Sequence, residues 1–245
     1  MAGHSKFKNI MHRKEAQDAK RAKRFTKILK ELTVAAKEGG ADPTTNPRLR
    51  HALVQARQLN VPKANIERAT KKSSDDKTYE ALRYEAMGPG NVAFIIEVLT
   101  DNRNRSACSV RTAVQKAGGH MTNAAFLFDQ VGCIRYDAPY AESLIDTAID
   151  KGAIDLQESD DSVCIFCAKD DFFAVQESLS NAFQDPAYAE LVWHPKTIQD
   201  VSDDDYAKAE RLIAAIEDID DVQNIWNNAN ILCPYAPQAS DDDSV

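Results

Sequence analysis

Apolar residues in the first third of the chain recur at helical spacing. Phe25, Ile28, Leu29, Leu32 and Ala36 lie three to four positions apart, which predicts a helix from Lys14 to Glu38 that Gly39-Gly40 stops. Taking about 100° per residue, with Lys20 at zero, these residues fall between about 80° and 180°. Arg13, Lys20, Arg24 and Lys27 fall within about 40° of zero, and Lys23 and Lys30 widen that stripe on one side. One helix therefore presents a core face and a nearly opposite cationic face. Asn46-Pro47 supplies an N-cap and a first-turn proline for a second helix, lined by Leu49, Leu53, Ala56 and Leu59. Val61-Pro62 opens a third, with Ile66 and Ala69 inward. Helices this short persist only when packed together, so a three-helix bundle is expected, with a polar linker after it at Ser73 to Lys77.

Beyond the linker the period shortens. Asn91 to Leu99 predicts a buried strand, and Asp101-Asn102-Arg103-Asn104 a turn capping a helix whose face is Val110, Ala113, Val114 and Ala117. Gly118-Gly119 ends that helix. Ala125 to Phe128 and Gly132 to Tyr136 predict strands, and Leu144, Ile145, Ala148 and Ile149 a helix ended by Gly152. Ile154 to Glu158 and Val163 to Ala168 predict a hairpin around Asp160-Asp161. Phe172, Val175, Leu179 and Phe183 mark a helix, Leu191 to Trp193 a strand, Tyr206, Ala209, Leu212, Ile213 and Ile216 a helix, and Val222 to Trp226 a last strand.

From Gly132 to about Gln199 the order is strand-helix-strand-strand-helix-strand, the pattern of a ferredoxin-like unit. Its two flanks, strand-helix-strand on the N-terminal side and helix-strand on the C-terminal side, form a second unit that the first interrupts. The expected fold class is multi-domain α+β: an N-terminal three-helix bundle, then two ferredoxin-like α+β domains, one inserted in the other. The expected division is a basic bundle at 1–77, an α+β domain at 78–131 plus 200–232, an inserted domain at 132–199 and a disordered acidic tail at 233–245.

Charge changes this picture most. The net charge of -8 over 245 residues hides a split. Residues 1–77 hold 19 Lys and Arg against 8 Asp and Glu, a net +11, which leaves -19 for the remainder. Such asymmetry points to an anionic partner for the first third. No run approaches 18 apolar residues, so no membrane-spanning helix is expected, and the basic N-terminus lacks the apolar stretch of a secretory signal. Cys108, Cys133, Cys164, Cys167 and Cys233 make no disulfide framework, which fits a reducing cytoplasm.

Candidate chemistry is sparse. The chain has no GxxxxGK[ST], GxSxG, HExxH or GxGxxG. Cys164 and Cys167 stand at i and i+3 of a predicted strand, on opposite faces, so they cannot share one tetrahedral ion. Glu217, Asp218, Asp220 and Asp221 crowd a helix-to-strand turn, read as a solvated turn rather than a Mg²⁺ site. The five histidines are dispersed. No catalytic residue, metal or cofactor is therefore expected. Arg103 and Arg105 either extend a cationic surface or serve the turn that caps the next helix.

GHSKFKNIMHRK, AQDAKRAKRFTKILKELTVAAKEGG and NPRLRHAL resemble the N-terminal domain of the YebC/PmpR family. VPKANIERATKK, YEAMGPGNVAFIIEVLTDNRNR and IEDIDDVQNIWNNANI are similar to further blocks of that family, over almost the whole chain. The resemblance implies three domains, a helical bundle and two α+β domains. It also implies a probable DNA-binding transcriptional regulator without enzyme activity, with mitochondrial relatives that activate translation and bacterial members linked to the ribosome. Phe7 stands where the family usually has Trp, Gly118 to Phe128 is shorter than the usual glycine-rich loop, and the acidic tail is an addition.

The combined expectation is a cytoplasmic nucleic-acid-binding regulator. Lys6, Lys8, Arg13, Lys14, Lys20, Arg21, Lys23, Arg24, Lys27 and Lys30, with Arg103 and Arg105, are its candidate contacts to phosphate. DNA is the formal partner and ribosomal RNA the alternative. A third reading has the acidic domains docking a basic protein.

Overall fold

The structure, a computed structural model, describes residues 3–71, 79–229 and 231, with side chains from Arg21 on. The linker expected at Ser73 to Lys77 and the tail expected at 233–245 lie outside the described residues. The fold is α+β, with N-terminal helices, then two four-stranded sheets, and the chain divides into two compact units.

The first unit gathers the described residues up to Leu82 with Val98–Ser106 and Ile219–Gln223. Helix α1 spans Gly3–Gly39, α2 Pro47–Gln58 and α3 Lys63–Lys71. Helix α1 thus begins well before Lys14. Upstream of Lys14, Phe7, Ile10 and Met11 stand at helical spacing beside Lys6, Lys8 and Arg13, a short signal that carries the helix back toward its start. Its 37 residues make a rod of about 55 Å. Ile28, Leu32, Ala35 and Ala36 of α1 pack with Leu49, Ala52 and Ala56 of α2, and with Val61 and Ala69, in one buried cluster.

Asn46 joins two of these helices. Its Oδ1 accepts from Leu49 N at 3.0 Å to cap α2, while its Nδ2 donates to Ala35 O at 2.7 Å and Gly40 O at 2.8 Å at the end of α1. Gly40 turns the chain there with φ +86, a backbone that disfavours other residues.

The second unit comprises Arg83–Glu97, Ala107–Asp218 and the described residues from Asn224 on. Strands β1 (Glu80–Met87) and β2 (Ala93–Thr100), helix α4 (Arg103–Lys116), and strands β3 (His120–Met121) and β4 (Phe128–Asp137) come in that order. Next come α5 (Ser143–Asp150), β5 (Ala153–Glu158), β6 (Ser162–Ala168), α6 (Phe172–Ala182), β7 (Tyr188–Pro195), α7 (Asp203–Glu217) and β8 (Val222–Asn227).

One sheet runs β5-β6-β4-β7, the strand order of a ferredoxin-like unit, with β4 antiparallel to both β6 and β7. The other runs β3-β1-β2-β8. This is the same spatial order, except that β1 fills the third-strand position although it comes first in the chain.

Alternation along the strands gives each sheet two faces. Ile134, Tyr136, Ile165 and Cys167 pack under α5 and α6, against Leu144, Ala148, Phe172, Val175 and Leu179. Cys133, Cys164, Phe166 and Val192 turn the other way, into a cluster with Ala93, Ile95 and Trp226 of the neighbouring sheet. Gly132 allows α6 to approach, because a Cβ there would stand 2.5 Å from the Phe172 ring.

Two expectations from the sequence are corrected. Strand β1 has no counterpart among the predicted elements: Leu82, Tyr84 and Ala86 alternate with Arg83 and Glu85, but the run is short and only Ala86 is fully buried. Ala125–Leu127 is a single 3₁₀ turn rather than a strand, and pairing starts at Phe128. The Glu85 carboxylate accepts from Ala124 N and Ala125 N, both at 2.7 Å, which fixes that turn and leaves Phe126 68% exposed.

Candidate nucleic-acid interface

The cations of α1 divide by what lies beside them. The side chains of Lys6, Lys8, Arg13, Lys14 and Lys20 lie outside those described; their backbone is helical. Arg21, Lys23 and Arg24 are exposed. The Arg21 guanidinium sits 5.3 Å from the centre of the Phe25 ring, a cation–π contact that orients it without consuming its charge. Arg24 makes no ion pair among the described residues.

One turn further along, the stripe closes. Lys27 Nζ donates to Gln223 O at 3.2 Å, and Lys30 Nζ donates to Asp220 O at 2.9 Å and to Asp221 Oδ1 at 3.0 Å. The Tyr79 ring lies 5.9 Å from the Lys30 ammonium. Val34, one turn beyond Lys30 on the same side, is buried. Helix α1 is therefore covered on two sides, by the bundle and by the 219–223 segment. Among the described side chains of α1, Arg21, Lys23 and Arg24 stay exposed upstream of this closure.

Asp221 is the centre of this closure. Besides Lys30, its carboxylate accepts from Arg105 Nη2 at 2.7 Å, Ser106 Oγ at 2.8 Å and Thr100 Oγ1 at 3.0 Å. Burial alone would raise its pKa, but the hydrogen bonds from Arg105, Lys30 and Ser106 outweigh that and hold it well below the usual carboxylate range. The acidic turn is thus no uniform solvated run: Asp221 is 5% exposed, while Asp218 and Asp220 are exposed.

Arg105 is drawn into the same arrangement, bridging Asp221 and Asp101 (2.8 Å), and its backbone N–H donates to the Asn102 cap. Arg103 is 70% exposed at its side chain, with Nη1 3.8 Å from Glu80. Of the two, Arg103 is the more exposed, at 70% against 52% for the Arg105 side chain. Nothing local in the sequence marks Asp221 as a hub, because its partner Lys30 is 191 residues away.

The cysteine geometry obeys the strand alternation. Cys164 and Cys167 enter different clusters on opposite faces of β6. Burial pushes the Cys167 thiol up to about 11. Among the described residues no three His, Cys, Asp or Glu side chains converge as a metal site, and no helix is long and apolar enough to cross a membrane.

The chain thus carries a basic N-terminal helix and two four-stranded sheets of ferredoxin-like order. Residues 5–76 match the TACO1/YebC protein N-terminal domain, and 79–229 match the TACO1/YebC second and third domain, whose family model is labelled a transcription regulator. The chain belongs to the TACO1/YebC family. The crystal structure of a conserved hypothetical protein from Aquifex aeolicus is similar at 34% identity, with a TM-score of 0.80 over 86% of this chain and 91% of that one.

Proposed function

We propose that this protein is a non-enzymatic regulator of gene expression that grips nucleic acid through the N-terminal portion of α1. The observation that carries the reading is the division of the stripe. Arg21, Lys23 and Arg24 stand exposed on a helix whose upstream sequence adds Lys6, Lys8, Arg13, Lys14 and Lys20 with only Glu15 and Asp18 opposed. Lys and Arg along one helix can neutralise phosphates, contacts that fix position without reading bases. Lys27, Lys30 and Arg105 serve mainly to hold the helix in place, and Arg103 remains a peripheral contact.

The test is binding of a duplex DNA across a salt series. Replacing Arg21, Lys23 and Arg24 together with Gln reduces the log–log salt slope by about 2–3 if each meets one phosphate. Unchanged slope and affinity would remove this face from the interface.

DNA is the formal target. Structured RNA is the second reading, favoured by the residues of α1: Asn9 and Gln17 are its only amides, so base-edge readers are scarce. Crosslinking of tagged protein in growing cells separates the two. Discrete promoter sites with little ribosomal RNA support DNA regulation. Ribosomal RNA, with cosedimentation on ribosomes lost in the triple variant, supports translation.

A further inference from the structure

We infer that the corner of the second unit formed by α5, β5 and the start of α6 is a docking surface for a basic peptide segment of another protein that carries an aliphatic anchor. Six large apolar side chains are exposed among the described residues, and three of them belong to these elements: Ile149 of α5 at 55%, Ile154 of β5 at 61% and Phe173 of α6 at 40%. Ile149 and Ile154 flank one turn, Lys151-Gly152, which joins α5 to β5. Ala153 pairs with Cys167, so the chain leaving β6 passes the same corner before it enters α6 at Phe172.

Ile154 is held outward by the backbone. Ala153 and Asp155 pair with the consecutive partners Cys167 and Phe166, leaving Ile154 as the extra residue of a bulge. The bulge lets Ala153 and Leu156 both face the helices, and it turns the intervening isoleucine to solvent.

Charge defines the partner. The stretches that flank this corner, 146–155 and 169–171, hold Asp146, Asp150, Asp155, Asp170 and Asp171 against Lys151 and Lys169. Asp137 pairs with Arg135 and Glu158 accepts from Tyr140, whereas Asp146, Asp150, Asp155, Asp170 and Asp171 make no ion pair among the described residues. Exposed aliphatic side chains on elements rich in carboxylates without ion pairs are complementary to Lys and Arg around an aliphatic side chain. Strand β5 is the outer strand of its sheet, but the bulge and the acidic side chains disfavour addition of another strand. Recognition therefore runs through side chains.

The test uses the full chain and two fluorescein-labelled peptides of equal charge, one repeating Lys-Leu-Lys-Ser and one repeating Lys-Ser-Lys-Ser. Anisotropy is expected to show the leucine peptide binding about tenfold more tightly. The double variant I149S/I154S, changed only at exposed positions, erases that preference while duplex DNA binding and the thermal midpoint stay unchanged. Equal binding of the two peptides, or a preference that survives the double variant, overturns the proposal. So does a concentration-dependent dimer in sedimentation velocity that I149S/I154S abolishes, which would assign the corner to a second copy of this chain.

Discussion

The two reaches of α1 on either side of Phe25 both carry cations, in opposite surroundings. From Arg21 to Arg24 the cations face solvent; from Lys27 to Lys30 they are tied to Gln223, Asp220 and Asp221. Angular position explains the bundle face, since Ile28 and Leu32 fall where the apolar stripe puts them. It does not separate Arg24 from Lys27, which leave the axis about 60° apart. What separates them is the 220–223 segment, whose Gln223 carbonyl takes Lys27 and whose buried Asp221 carboxylate takes Lys30. A helix-wheel stripe reports direction, and the neighbour that arrives from elsewhere decides which charges stay available.

The largest expected effect comes from removing that neighbour. Asp221→Ala leaves Lys30, 14% exposed at its side chain, without its carboxylate, and strips acceptors from buried Thr100 and Ser106. Truncating one partner of a buried pair costs roughly 3–5 kcal/mol, and the half-exposed Arg105 places this case at the lower end, about 3 kcal/mol in urea denaturation. A loss below about 1 kcal/mol would reduce the hub to an ordinary surface pair and erase the contrast between the two reaches.

Acid probes the same carboxylate. Its folded-state pKa is depressed, so its stabilisation is present above the usual carboxylate range, near pH 4, and is lost as pH falls below it. Urea midpoints between pH 7 and pH 3 should fall more steeply for the wild type than for Asp221→Asn.

The next effect sharpens the comparison directly. The double variant K27Q/K30Q should lower stability yet change the salt slope of duplex binding by less than about 1, against the 2–3 expected for Arg21, Lys23 and Arg24. Equal slope changes for the two variants would mean that the docked cations also reach phosphate.

Smaller changes test how firmly the docked reach is seated. Asn46→Ala removes the α2 cap and two donors to the end of α1, and should cost about 1–2 kcal/mol by denaturation. His51 has its pKa lowered by burial, against the opposing pull of Glu31 on α1. The folded chain then takes a proton less readily than the unfolded one. Its contribution is steady above about pH 6.5 and shrinks as pH falls below that, a shallow slope that His51→Gln should flatten.

Local signals in the sequence carried the elements that local chemistry determines. Asn46-Pro47 marks a helix start because cap and proline act within one turn, and Gly40 and Gly152 mark stops because their backbones need positive φ. The ferredoxin-like order was legible because β4 to β7 are contiguous and strongly patterned. Strand β1 was passed over: Leu82, Tyr84 and Ala86 alternate with Arg83 and Glu85, but over too short and too polar a run to stand out, and its pairing with β3 joins Ala86 to Met121 across the intervening strand and helix. Lys27 and Lys30 looked equivalent to Arg24 for the same reason, since the residues that claim them lie about 190 positions away.

Strand β8, the outer neighbour of β2, is the last strand of the chain. On a ribosome adding about 5–20 residues per second, the interval between Thr100 and Val222 lasts roughly 6–25 s. During that time β4 to β7 can complete their own sheet, because all four strands are already made. Strand β2 cannot. Seven of its eight residues end up buried, and one of its edges stays unpaired until the 222–227 segment emerges and Asn228 Oδ1 accepts from Ala93 N at 2.8 Å. A polypeptide interrupted before Val222 would therefore be a sticky fragment with an open apolar strand edge, a natural substrate for chaperones and proteases.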